Sequence, residues 1–230
     1  MSNSNIPVTI GAILDGNRRW AAARGLPKVE GHRAGYEKMK EFCRWAFEAG
    51  VANVLVYAFS TENWRREESE VSYLIRLLQW VLEKEIDEFH REGVHVRIIG
   101  DRGRFSENLR VLMAAAEEKT KANTKGTVGI LLSYGGRAEI VAAAKEIVRQ
   151  GTAADALTEE SFGEHLWTAG IPDPDLIIRA GGEERLSNFL TWQSAYSELF
   201  FTTTLWPDFT KEEFESILAE YSSRERRFGQ

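Results

Sequence analysis

The run IPVTIGAIL at residues 6–14 is short and almost continuously apolar. That is the pattern of a strand buried on both faces of a parallel sheet, not of one that shows a polar face to water. NVLVYAF at 53–59, TVGILL at 127–132 and DLIIR at 175–179 read the same way. Four such runs predict a parallel sheet. VHVRII at 94–99 alternates instead, with Val94, Val96 and Ile98 on one face and His95 and Arg97 on the other, which predicts an edge or half-exposed strand. SAYSELFF, ending at Phe201, reads as a final strand or its approach.

Between these runs the apolar residues switch to helical spacing. Tyr36, Met39, Phe42, Cys43 and Ala46 share one face, and Gly50 supplies a C-terminal stop. The longest pattern extends from Ser69 to Glu92, with Val71, Leu74, Ile75, Leu78, Val81, Leu82, Ile86 and Phe89 three or four residues apart; core packing is its simplest reading. Further helices are predicted over 106–122, 136–150, 158–167 and 211–224. Strand and helix alternate throughout, which predicts an α/β sheet with helices on both faces. No linker rich in Pro, Gly or Ser and no repeat interrupts the pattern, so residues 1–230 read as a single domain.

Composition sets limits on function. With 43% hydrophobic and 28% charged residues the chain can build a sizeable core. A net charge of −6 argues against a broad nucleic-acid footprint, so any anion site must be a local cluster. The single Cys43 rules out a disulfide framework and a thiol metal site. MSNSNIP lacks the features of a signal peptide, and no apolar run approaches the roughly 20 residues of a membrane span. A cytoplasmic location is the expectation.

Ligands of open α/β sheets bind at the carboxyl ends of the strands. Asp15-Gly16-Asn17-Arg18-Arg19-Trp20 follows the first strand, Ser60-Thr61-Glu62-Asn63-Trp64-Arg65-Arg66 the second, and Arg179-Ala180-Gly181-Gly182-Glu183-Glu184-Arg185-Leu186-Ser187-Asn188 a later one. Arginine beside glycine and hydroxyl residues suits phosphate, because the guanidinium fork matches its oxygens and glycine lets backbone N–H groups approach. Taken singly such arginines are mostly solvated, but three clusters at one sheet edge favour a site for two diphosphates. No Walker motif and no GxGxxG follows any strand, and no GxSxG or Cys-His pairing points to a nucleophile. Asp15 and Glu198 could hold Mg²⁺ together with substrate phosphates. By spacing alone Asp15 serves equally as a helix N-cap and Glu198 as an arginine partner. His32, after Gly31 at a helix start, is either a phosphate ligand or a capping group. His90, His95 and His165 show no metal-ligand spacing and read as structural.

Seven motifs carry a resemblance: LDGNRRWA at 14–21, GHRAG at 31–35, YAFSTENWRR at 57–66, SYGGR at 133–137, LIIRAGGEERLSNFLTWQSAYSELFF at 176–201, LWPDF at 205–209 and RERRFG at 224–229. In this order and from end to end, the chain resembles the cis-prenyltransferases, in particular the bacterial undecaprenyl diphosphate synthase branch. The resemblance implies a six-stranded, mostly parallel sheet ringed by helices, acting as a homodimer. It implies an enzyme that joins isopentenyl diphosphate to an allylic diphosphate, farnesyl or geranyl, with each new double bond cis, to make a carrier lipid for the cell wall. Transient contact with a membrane surface would release such a product. The same phosphate loops would also serve an enzyme making a short or branched product, and the same fold a non-catalytic partner subunit.

Residue by residue, the resemblance implies that Asp15 is catalytic and holds Mg²⁺ on diphosphate, with Glu198 as the second metal carboxylate. Gly16, Asn17, Arg18, Arg19, Trp20, Lys28, His32 and Arg66 match the allylic diphosphate site, and Arg179, Arg185, Leu186 and Ser187 the site for isopentenyl diphosphate. Ser60, Thr61, Glu62, Asn63 and Trp64 match a loop that closes over the reacting ends. Asn63 would assist proton removal; a neutral amide is a poor base, so it would orient a substrate or a diphosphate oxygen that takes the proton. The Arg227-Phe228-Gly229 tail matches a motif that reaches across a dimer. The helix from Ser69 and the helix around Phe42 and Trp45 would wall an apolar tunnel, with Ala58 beside the loop. Departures from the family pattern are Arg18 for glycine, Lys28 for arginine, Ser133 for asparagine, and Ala180-Gly181-Gly182 where threonine leads.

Overall fold

The computed structural model describes residues 6–224. Six strands, β1 (Thr9–Ile13), β2 (Asn53–Ser60), β3 (Val94–Ile99), β4 (Gly126–Tyr134), β5 (Leu176–Arg179) and β6 (Glu198–Phe201), form one sheet in the order β3-β4-β2-β1-β5-β6. Every neighbouring pair is parallel. The alternating run 94–99 is an edge strand, as its pattern predicts, and β6 is the other edge. The chain leaves β1 toward β2 on one side and returns as β5 on the other. The ends of β2, β1 and β5 therefore lie side by side at the reversal of strand order, where ligands of such sheets bind.

The helices are α1 (Asn17–Ala23), α2 (Lys28–Glu48), α3 (Glu68–Lys84), α4 (Ile86–Arg91), α5 (Glu107–Thr120), α6 (Gly136–Gln150), α7 (Glu159–Gly163) and α8 (Lys211–Ser223). Successive strand side chains point to opposite faces. On one face Ile10, Ala12, Val54 and Val56 meet Phe42 of α2, which is fully buried and packs edge-on against Trp206, Phe209 and Phe214. On the other face Ile13, Leu55, Ile99, Leu131 and Ile177 pack with Phe189 and Leu190. Burial on both faces is why β1 reads as continuous apolar sequence.

Three boundaries differ from the sequence reading. The first strand begins at Thr9, where pairing with Asn53 begins, and Val8 ahead of it is half exposed. The long helical pattern is two helices broken at Glu85, whose carboxylate accepts hydrogen bonds from Tyr36 and Lys40 of α2. Its apolar spacing continues through the break because Ile86 and Phe89 are buried beyond it. The helix predicted over 158–167 stops at Gly163, since Leu166 and Ala169 continue in three-residue turns that carry Leu166 into the interior. Gly50 ends α2 as predicted, at φ +97°, with its N–H on Phe47 O and that of Val51 on Ala46 O.

Helices α1 and α2 cross with almost no space between them. A Cβ on Gly31 would stand 2.0 Å from the carbonyl oxygen of Asn17. Gly31→Ala should therefore cost about 1–3 kcal/mol by overpacking, read as a lower urea midpoint at unchanged m-value.

Candidate active site

At the end of β1 the chain turns through Gly16, whose φ of +107° suits glycine, straight into α1. Gly16 caps the helix without a side-chain bond, so Asp15 is no N-cap and its carboxylate is free for other work. Asp15 Oδ2 accepts from Arg179 Nη2 at 2.9 Å, and Oδ1 lies 3.3 Å from Arg19 Nη2. Burial opposes ionisation of Asp15, but the hydrogen bond and charge of Arg179, helped by Arg19, outweigh it and hold the carboxyl below its ordinary value. Arg179, at the end of β5, is buried and also donates from Nη1 to Ser187 Oγ at 2.8 Å and to the carbonyl of Arg185. Its Nε has no hydrogen-bond partner.

A second cluster lies across the cavity. The side chain of Glu70, in the first turn of α3, is only 4% exposed. It meets Arg66 Nη1 at 2.9 Å, His32 Nε2 at 3.3 Å and Arg18 Nη1 at 3.5 Å. Burial raises the Glu70 pKa, yet Arg66, Arg18 and His32 together bring it below the usual range. The sequence signal for Glu70 is an acid four residues after Arg66.

Between the clusters lies a cavity of about 520 Å³ lined by Asp15, Gly16, Asn17, Arg18, Arg19, His32, Ser60, Glu62, Asn63, Arg66, Arg179 and Ser187, with Tyr57, Ala58 and Leu74. It adjoins an apolar cavity of about 130 Å³ whose walls include Met39 and Tyr36 of α2, Leu74 and Leu78 of α3, Phe105 and Leu132. Leu14, Asn17, His32, Tyr57, Ala58 and Leu74 line both. The joined space suits a molecule with an anionic head and a hydrocarbon tail. The turn Thr61–Arg65 closes one side, its start fixed by the Ser60 N–H donating to Asn63 Oδ1 at 3.1 Å.

Several residues expected at the site lie outside this cavity. Trp20 donates from Nε1 to Asp208 at 2.6 Å and is covered by Arg24, so it braces α1 against the 205–209 segment. Lys28 pairs with Glu67 at 3.2 Å. Thr61 bonds Glu62, and Trp64 donates to Ser133 Oγ at 2.9 Å while its ring packs on Phe59 and Phe105. Arg185 is mostly exposed and bonded to Glu183, and Leu186 packs against the second core cluster. Glu198 opens β6 opposite Leu176 and pairs with Arg224 at 2.5 Å. Asp15 lies two residues beyond Ile13, itself level with Arg179. The two carboxylates are thus on the order of 15 Å apart along the strands, and within one chain they do not converge. No group of three or more His, Cys, Asp or Glu that could hold a metal occurs among the described residues. Asp15 alone, about one-third exposed and ionised beside a cavity lined by arginines, still fits a cation that takes one carboxylate and completes its shell with substrate and water. The Arg227-Phe228-Gly229 tail lies outside the described residues.

The prenyltransferase family model for undecaprenyl diphosphate synthases matches residues 13–229. An isoprenyl transferase of Agrobacterium fabrum is 49% identical, covering 99% of this chain and 94% of its own length. A ditrans,polycis-undecaprenyl-diphosphate synthase of Legionella pneumophila, named as specific for (2E,6E)-farnesyl diphosphate, is 42% identical over 99% of this chain and 98% of its own. Among solved structures, lavandulyl diphosphate synthase from Lavandula x intermedia in complex with dimethylallyl diphosphate superposes with a TM-score of 0.93 at 35% identity, covering 98% of this chain and 99% of its own. A probable undecaprenyl diphosphate synthase from Campylobacter jejuni superposes with a TM-score of 0.83 at 35% identity, covering 98% and 100%.

Burial lowers the His32 pKa below 6.5, Arg66 and Arg18 add to this, and Glu70 opposes them. A histidine depressed in the folded state contributes stability that is present above its unfolded pKa and lost as pH falls through the folded value. Glu70→Gln removes the opposing charge, so the His32 ring should titrate at still lower pH by NMR; an upward shift would contradict the arrangement.

Proposed function

We propose the details of the reaction from one premise: this chain belongs to the undecaprenyl diphosphate synthase family of prenyltransferases. It is a prenyl-transferring enzyme that elongates a cis-polyprenyl diphosphate. The observation that carries the detailed reading is the cation-lined cavity opening into an apolar one. An allylic diphosphate, with farnesyl as primer, lays its head on Arg18, Arg19, His32, Arg66 and the backbone after Asp15, and its tail between α2 and α3. Isopentenyl diphosphate sits toward Arg179 and Ser187, whose side chains are already bonded to each other.

The C–O bond of the allylic diphosphate breaks, the isopentenyl double bond attacks the resulting carbon, and a proton leaves the new allylic unit. Guanidinium groups fixed in advance stabilise the departing diphosphate without reorganising, which is where such a site gains most. Asn63, held by the Ser60 backbone, orients the diphosphate oxygen that receives the proton. The family's enzymes use a divalent metal; here it would be Mg²⁺ on Asp15, supplying Lewis-acid stabilisation of the leaving group. Leu199 and Phe201, exposed on the free edge of β6 with Tyr196 beside them, suit a homodimer contact. No helix among the described residues is long and apolar enough to cross a membrane; a cytoplasmic enzyme that touches a membrane surface to release product is the reading. The likeness to lavandulyl diphosphate synthase favours a branched short product as the second reading, against which the apolar cavity beside Ala58 favours a longer chain.

Incubation with farnesyl and isopentenyl diphosphates and Mg²⁺, followed by chromatography of extracted lipids, should give long polyprenyl products. Asp15→Ala should lower kcat about 10²–10³-fold, and chelation of the metal should abolish turnover until Mg²⁺ is restored. A wild-type chain inert under these conditions would overturn the reading, and a ten-carbon branched product formed when dimethylallyl diphosphate replaces the farnesyl primer would establish the second.

A further inference from the structure

We infer that Asn188 is a positioning residue that ties the two halves of the site together, holding the 61–65 turn that carries Asn63 against the loop that carries Ser187. The inference rests on the function proposed above. Asn188 and Ser187 both adopt left-handed backbone conformations, at φ +67° and +51°. Two such residues in succession are uncommon outside glycine and persist only where their surroundings over-determine them. Asparagine tolerates that conformation better than most residues.

Every polar group of Asn188 beyond its own N–H is engaged, and with different segments. Its carbonyl accepts from the Gly136 N–H at 2.7 Å and its Oδ1 from the Arg137 N–H at 2.9 Å. These are first-turn donors of α6, a helix whose own N-cap, Gly135, supplies no side chain. With Oδ1 committed to α6, Nδ2 points at the 61–65 turn and donates to Glu62 Oε1 at 3.1 Å. Geometry around Gly135 shows how tightly the junction is built. A Cβ there would lie 2.5 Å from Asn188 Nδ2 and 2.7 Å from Thr61 Oγ1. Tyr57 Oη, donating to the Ser187 and Tyr134 carbonyls at 3.4 and 3.3 Å, closes the same junction from β2.

A continuous path of bonds follows from Asp15 through Arg179, Ser187 and Asn188 to Glu62, beside Asn63. Asn188 touches no part of the cavity itself, so it acts through the turn and not on substrate. Its side chain matters because it is the one link in which an amide donates to a carboxylate.

The polarity of that link can be reversed. Asn188→Asp keeps the acceptor for α6 and sets two carboxylates against each other, and adding Glu62→Gln restores a donor on the opposite side. Asn188→Gly keeps the left-handed backbone and deletes the side chain. Steady-state kinetics should show kcat about 10-fold lower in Asn188→Asp and Asn188→Gly, with the KM of both diphosphates changed by less than about 3-fold. The double variant should return to within about 3-fold of Glu62→Gln alone, a coupling that independent sites do not show. Hydrogen exchange over residues 60–66, which needs no turnover, should quicken in both single Asn188 variants and slow again in the double. Unchanged exchange and kcat in the single variants, or strictly additive losses in the double, would overturn the inference. An inert wild-type chain would overturn the proposed function instead, and the exchange measurement would still test the link.

Discussion

A guanidinium buried at the end of a central strand is the constraint on which the site depends. Arg179 is 4% exposed, and a buried charge is tolerable only when paired and hydrogen-bonded. Its partners come from three places: Asp15 after β1, Ser187 eight residues downstream, and the Arg185 carbonyl in the loop before it. Satisfying one side chain therefore fixes the strand end of β1 relative to β5 and forces the 185–190 loop to fold back over the sheet. The left-handed backbone at Ser187, Asn188 and Leu190 is the local cost of that return. The same pairing lowers the Asp15 pKa and keeps the carboxylate ionised at the mouth of the cavity.

The opposite wall obeys the reverse logic. There one buried carboxylate, Glu70, sits among Arg66, Arg18 and His32 and reduces their mutual repulsion. Three groups with the capacity for positive charge can then face one cavity before any anion arrives. Arg18, which stands where the resemblance leads one to expect glycine, is accommodated as a partner of Glu70 and adds charge to this wall. Behind the wall the space turns apolar without a barrier, because α3 leaves Leu74 and Leu78 only partly buried. Residues that read as core by periodicity are in part the lining of an apolar cavity. Helical spacing cannot tell these uses apart, since both require the same face to avoid water.

Sequence pattern and structure part where a side chain's direction matters. Trp20 and Trp64 sit inside phosphate-loop motifs, yet both turn their indole N–H groups to structural partners, Asp208 and Ser133. Glu198 lies inside the strand-like run SAYSELFF, and it begins β6 where Asp15 lies beyond the end of β1; in a parallel sheet those are opposite ends of the strands. A glutamate in an acidic first turn reads as a solvated helix start; beside Arg66, it is Arg18 of α1 and His32 of α2 that approach it in the folded chain.

The parallel sheet, its alternation with helices and the three arginine-bearing strand ends are all legible in residue order. Strand burial and binding loops are written in local patterns of residue type, so they can be read without contacts. The strand order that sets β2, β1 and β5 side by side, the break at Glu85, the roles of Glu70 and Asn188, and the separation of Glu198 from Asp15 were decided by tertiary structure alone. Each depends on which distant segments approach one another, as Asp15 and Arg179 do from 164 residues apart. Such approaches are fixed by the packing of the whole core, and no local pattern encodes them.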